Sequence, residues 1–150
     1  MSDLLEGTYV PSKQDWAREQ VEAYEASDGA EANTLLDTGY PIVIVTGQGA
    51  KNPGNLYKNP VMRVERDGDY LAVASLGGAP KNPQWYHNYK ANPVVQVQDG
   101  AEPALYRARE LEGDERSDWW AYAVETWPTY AEYQQKTDRQ IPLLLLEPVG

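Results

Sequence analysis

The chain has 150 residues, 13 Lys+Arg against 23 Asp+Glu and a formal net charge of −10, with no cysteine and a single histidine. That length suits one domain with one sizeable core, and the missing residue types exclude disulfides, thiolate catalysis, Cys-ligated zinc, iron–sulfur clusters and two-histidine metal sites. No apolar run approaches the roughly 20 residues that span a bilayer, MSDLLEGTYV does not read as a secretory signal, and the acidic total opposes nucleic-acid binding, so a cytoplasmic protein is expected.

Residues 13–26, KQDWAREQVEAYEA, hold Trp16, Val21 and Tyr24 among strong helix formers. They read as a surface helix ending near Ser27-Asp28-Gly29. IVIVT at 42–46 is a buried β-branched strand, followed by a Gly/Asn/Pro-rich loop from Gly47 to Asn55. Residues 61–66 and 70–75 are strands joined at Asp67-Gly68-Asp69, a hairpin signal. A loop at 76–83 leads to a short helix, QWYHNYKA at 84–91, stopped before Pro93. Strands are expected at 94–98 and 105–111. Asp114 is the expected cap of a helix running to about Thr126, and a second short helix holds Tyr130 and Tyr133. IPLLLL at 141–146 is an apolar closing strand. Strands linked by hairpins, without βαβ crossovers, predict a mainly β, α+β architecture. The sheet should be antiparallel, a closed or half-open barrel with peripheral helices.

Charge is uneven along the chain. Residues 1–38 carry nine acids and two bases, residues 39–100 four acids and six bases, and residues 101–150 ten acids and five bases. The middle third is therefore the only cationic part, through Lys51, Lys58, Arg63, Arg66, Lys81 and Lys90. A small anionic ligand would settle there, unless these are ordinary solvated charges.

No carboxylate pair sits at an informative spacing, and no GxGxxG opens a helix after a strand. His87, the only possible catalytic base of its kind, lies in an aromatic stretch where a structural histidine is expected. Gly77-Gly78 allow backbone to approach a ligand, and Ser75 offers a hydroxyl at a strand end; such a pair is also an ordinary turn. Trp127, Tyr130 and Tyr133 recur every three residues. On a helix they share one side, either as a wall for a flat conjugated ring or as core continuing the Trp120, Ala123, Val124 stripe.

Taken together, SLGGAPKNP at 75–83, Trp85-Tyr86-His87-Asn88, Lys90-Ala91-Asn92-Pro93, Tyr130-Ala131-Glu132-Tyr133-Gln134, Thr137-Asp138-Arg139 and Ile141-Pro142 resemble the deazaflavin-dependent nitroreductase family. The resemblance runs from about Pro41 to Pro148. It implies a split β-barrel related to flavin-mononucleotide-binding barrels, the cofactor coenzyme F420, and hydride transfer to quinones, activated enones or nitroaromatics. With the length and the charge pattern, this gives one domain over 1–150: an acidic helical segment at 1–38, outside the resemblance, and the deazaflavin-binding barrel it implies at 39–150.

The family's phosphate and tail loop corresponds to Gly49 through Pro60. Lys51 matches the family's lysine, Asn52-Pro53 replace its Ser/Thr with one residue inserted, and Tyr57 stands where arginine is usual, beside Lys58. The resemblance assigns cofactor contacts to Ala50, Lys51, Asn52, Tyr57, Lys58, Asn59, Pro60, Val61 and Met62. It assigns further contacts to Val73, Ala74, Ser75 and Leu76, to Gln84, Trp85, Tyr86, His87 and Asn88, and to Tyr130. It implies catalytic roles for Ser75, Tyr130 and Tyr133, and a substrate wall of Ser75, Trp127, Tyr130 and Tyr133, with no metal. Other readings of the same fold are a flavin-mononucleotide or haem protein, or a non-catalytic deazaflavin binder. The acidic N-terminal helix is expected to avoid anionic membranes and to pack near the pocket through Trp16 and Tyr24.

Overall fold

The computed structural model describes residues 4–35 and 38–149; positions 1–3 and 36–37 of the expected N-terminal segment, and Gly150, lie outside the described residues. The elements are β1 (Thr8–Tyr9), α1 (Asp15–Ala26), β2 (Ile42–Gln48), β3 (Asn55–Met62), β4 (Glu65–Arg66), β5 (Asp69–Val73), a 3₁₀ turn (Leu76–Gly78), α2 (Gln84–Ala91), β6 (Val94–Gln98), β7 (Pro103–Glu110), α3 (Gly113–Thr126), α4 (Thr129–Gln135) and β8 (Leu143–Pro148). The strands form one eight-stranded sheet in the order β1-β3-β2-β6-β7-β8-β5-β4. Pairing is antiparallel throughout except between β1 and β3. The sheet does not close, so the half-open form of the expected barrel is the one adopted.

Side-chain alternation explains the two unbroken apolar runs. Ile42 and Ile44 of β2, with Leu143 and Leu145 of β8, join a core with Val21 and Tyr24 of α1 and Trp119, Ala123, Trp127 and Tyr130 of the α3–α4 region. Val43, Val45, Leu144 and Leu146 face the other way, toward Val95, Val97 and Tyr89 of α2. Strands buried on both faces have no polar side to alternate with.

The hairpin at Asp67-Gly68 is a two-residue turn with both φ values positive, 56° and 89°, the geometry that fits the right-handed twist of its strands. Three sequence expectations need correction. β3 begins at Asn55 rather than 61, and β2 continues to Gln48, so the loop between them is shorter than expected. β5 stops at Val73, two residues early. α3 starts at Gly113 behind Glu112, and Asp114 is inside its first turn rather than capping it.

β3 was hidden because it carries Pro60. Val10 N–H donates to the Leu56 carbonyl at 2.9 Å, so the backbone groups of Leu56 point away from β2. Alternation places those of Lys58, Pro60 and Met62 on the same outer edge. β1 covers β3 only at Asn55 and Leu56. Beyond it, this edge has no strand partner among the described residues, which is where a residue lacking N–H is tolerated.

Candidate active site

A cavity of about 710 Å³ opens against this bare edge. Asn59, Pro60, Val61 and Met62 all border it. Four consecutive strand residues cannot share one face, so the cavity meets the edge of the strand and not a face. Val73 ends β5, Ser75 lies just beyond it, Leu76 and Gly77 come from the following turn, and Gln84, Trp85 and His87 from α2. Trp127, Tyr130 and Tyr133 supply the opposite wall.

The turn after β5 is built from left-handed backbone. Leu76, Gly77 and Gly78 have φ of 45°, 65° and 86°. At Gly78 a Cβ would stand 2.9 Å from the Tyr133 carbonyl oxygen, so this glycine lets α4 close on the turn. Leu76 is a branched residue held in the left-handed region, a conformation that costs on the order of 1 kcal/mol, and it is among the exposed large hydrophobics. Arg139 fixes the segment from behind. Its guanidinium donates to the Ser75 carbonyl at 2.9 Å, the Ala79 carbonyl at 3.0 Å and Asn82 Oδ1 at 2.8 Å. Gln134 in turn donates to the Arg139 carbonyl and accepts from Ile141 N–H.

The aromatic wall is an edge-to-face cluster. Trp127 stands 5.1 Å from Tyr130 and 5.6 Å from Tyr133, both near perpendicular. Trp127 is the extended residue that ends α3 (φ −144°, ψ 97°), so only the two tyrosines share a helix. It belongs at once to the main core and to the cavity wall. Burial pushes the Tyr130 phenol above its ordinary value, which keeps it a neutral donor at physiological pH.

Not every expected contact reaches the cavity. Ala74 is fully buried, and Tyr86 donates its hydroxyl to Glu110 at 2.7 Å. Asn88 is buried and accepts from Ala50 N–H at 3.0 Å, while Asn92 donates to the Gly49 carbonyl. α2 therefore carries the loop that bears Ala50, Lys51 and Asn52, which lies off the cavity wall together with Tyr57. His87 is exposed and borders the cavity.

The cationic zone is also smaller than its sequence. Lys58, Arg63, Arg66 and Lys90 pair with Glu25, Asp99, Asp118 and Glu110. Among the described residues this leaves Lys51, on the loop, and Lys81, on the cavity wall, without a carboxylate partner.

Sequence reading missed most of the outer wall: Ser12 and Gln14, just before α1, and Leu35 border the cavity beside Trp16. Trp16 is where the helix was expected to meet the pocket. Tyr24 is not: its hydroxyl donates to the Gln98 carbonyl and accepts from Gly100 N–H on the far side of α1. Asn82 and Arg139, both inside quoted motifs, had no signal that pairs them across 57 residues.

The model of a family described as F420H(2)-dependent quinone reductase matches residues 16–148. The chain belongs to the F420H(2)-dependent quinone reductase family. An F420H(2)-dependent quinone reductase of Mycobacterium tuberculosis is 40% identical over 122 residues, covering 79% of this chain and 74% of that one. A solved structure described as an F420-H2 dependent reductase (FDR-A) is 56% identical with a TM-score of 0.67, covering 71% of this chain and 94% of that one. A Listeria innocua chain described as a putative pyridoxamine 5'-phosphate oxidase is 10% identical with a TM-score of 0.50, covering 73% and 84%. That likeness bears on the fold alone, a split barrel.

Proposed function

We propose that this protein is a cytoplasmic, single-domain reductase that uses reduced coenzyme F420 to reduce quinones, with the cavity between the β3 edge and the tyrosine wall as its active site. The single observation that carries this reading is the bare edge of β3. Its outward carbonyls at Pro60 and Met62 and the N–H of Met62, all at the cavity, are arranged to pair with the edge of a flat, hydrogen-bonding ring; Lys58, one of the expected contacts, does not border the cavity. Val61, Met62 and Val73 give that ring an apolar bed, and a cavity of about 710 Å³ is within the usual span of small-molecule sites. Lys81, and Lys51 at the loop, supply positive charge for a phosphate and a carboxylate tail.

When bound, reduced F420 supplies a hydride, and the quinone that receives it becomes a hydroquinone once a proton follows. The chain supplies position and donors. Ser75, Tyr130 and Tyr133 make no side-chain hydrogen bond to other described residues, so their hydroxyls are available to an oxygen on which negative charge grows. The Arg139 clasp on the Ser75 carbonyl fixes where that hydroxyl starts. Trp127 provides an apolar surface for a conjugated substrate. Planar quinones and conjugated enones fit this wall better than bulky nitroaromatics.

The acidic N-terminal segment, nine acids against two bases, opposes docking on anionic lipid. Among the described residues no helix is long and apolar enough to cross a membrane. The test is anaerobic mixing with reduced F420 and a naphthoquinone, beside parallel additions of flavin mononucleotide and haem. Loss of the reduced-deazaflavin signal with catalytic turnover supports the reading. Tight binding without turnover makes the protein a carrier, and selective retention of flavin or haem makes it another member of the fold.

A further inference from the structure

A second hollow of about 400 Å³ lies on the other side of the Arg139 clasp, bordered by Arg116, Ser117 and Trp120 of α3, Gln134 of α4 and Asp138 and Arg139 of the following loop. Two arginines converge on it, and neither has a carboxylate partner among the described residues. In a chain with 23 acids and 13 bases that is against the odds. Of the seven arginines, Arg18, Arg63, Arg66 and Arg109 are each paired with an acid, and Arg107, away from the hollow, is the third without one among the described residues.

Arg116 is the unexplained one. It stands in the first turn of α3, where the helix dipole disfavours a cation. Its Nη1 is buried and has no hydrogen-bond partner, which costs stability, more for a charged group than for a neutral one. The nearby acid that acts on it, Glu110, is committed to Lys90 and Tyr86. The guanidinium lies over the Trp120 ring, 5.7 Å from its centroid. Arg139 spends its donors on Ser75, Ala79 and Asn82, all neutral acceptors, so its charge too is uncompensated.

We propose that this hollow is a carboxylate-binding site, in which Arg116 takes a planar carboxylate and the Trp120 ring packs against the apolar or aromatic body attached to it. The guanidinium fork matches a carboxylate in two bonds. Trp120, whose ring borders the hollow, favours a ligand with a flat body over a bare ion. Asp138, which borders the same hollow without pairing to either arginine, repels a second negative charge and so selects a monoanion over a phosphate dianion. The site is separate from the cavity that carries the reductase reading, and its occupancy needs no cofactor.

The test titrates the whole protein, without F420, with sodium benzoate, sodium acetate and sodium phosphate at one fixed ionic strength. Calorimetry and the melting temperature are the readouts. Benzoate is expected to bind saturably and raise the melting temperature, acetate to bind at least about tenfold more weakly, and phosphate to act no better than chloride. Arg116→Gln should weaken benzoate binding at least about tenfold while F420 binding is retained. Trp120→Phe, which keeps the charge, should weaken benzoate but leave acetate unchanged. Absence of saturable binding overturns the proposal, as does phosphate matching benzoate or benzoate binding equally well to folded Arg116→Gln. None of these results bears on hydride transfer in the other cavity, so either reading can fail alone.

Discussion

Arg139 Nη2 donates to the carbonyl oxygen of Ser75 at 2.9 Å, across 64 residues of chain. One guanidinium thus ties the loop after α4 to the residue at the centre of the cavity wall. Arg139→Gln leaves three acceptors without their cation. Hydrogen bonds to charged groups contribute about 1.5–3 kcal/mol each, and much less than their sum when they act as a unit. The expected outcome is a rise of about tenfold in the quinone KM, with F420 affinity changed less. Steady-state kinetics of Arg139→Gln and Arg139→Lys check it; unchanged KM in both variants means that the clasp does not position Ser75.

Gly47 faces Tyr89 so closely that a Cβ there would stand 2.4 Å from the ring. Tyr89 is buried and stacks on Trp85 of the cavity wall at 5.2 Å. Gly47→Ala is therefore expected to lower stability by about 1–3 kcal/mol through overpacking and to loosen α2. A melting curve alongside F420 binding decides it: a variant with wild-type stability shows that Tyr89 relocates without cost.

Lys58 is paired with Glu25 and also lies over the Tyr9 ring, 5.1 Å from its centroid, whereas Lys51 and Lys81 have no acid beside them. Cofactor affinity should fall with rising salt, and Lys51→Ala or Lys81→Ala should weaken it by severalfold. Lys58→Ala should do so less. Titrations of F420 at two ionic strengths measure this, and equal losses in all three variants would put Lys58 back among the tail contacts.

Several phenols are raised by burial, including Tyr130 and Tyr89; Tyr86, half-buried and donating to Glu110, is pushed up to about 12. A group raised in the folded state stabilises it below the unfolded value, about 10 for tyrosine. That stabilisation is lost as pH climbs from there through the folded value. The melting temperature is thus expected to be insensitive to these groups below about pH 9 and to fall between about pH 10 and 12. Tyr86→Phe should make that fall shallower, which a pH series of thermal melts reads directly.

Much of the core was legible because Ile42–Val45 and Leu143–Leu146 are buried on both faces, so apolar runs stand unbroken in the sequence. β3 was not, because an edge strand accepts Pro60 and polar neighbours that look like loop. The quoted motifs brought Ser75, Trp85, Tyr130 and Tyr133 to one cavity. Charge counting failed locally, since four bases of the middle third are paired, three of them with acids from other segments and Arg63 with Asp99 of its own. Spacing alone also could not show that Trp127 sits beyond its helix while still facing both tyrosines.

The most direct measurement is the single-turnover oxidation of protein-bound reduced F420 by a naphthoquinone, in the wild type and in a Ser75→Ala/Tyr133→Phe double variant. Two donors that act on growing oxygen charge contribute on the order of 100-fold or more to the rate. The expected result is a double variant that binds F420 with near wild-type affinity and transfers hydride at least about 100-fold more slowly. A rate equal to the wild type, with the cofactor bound, would contradict the placement of hydride transfer between the β3 edge and the tyrosine wall.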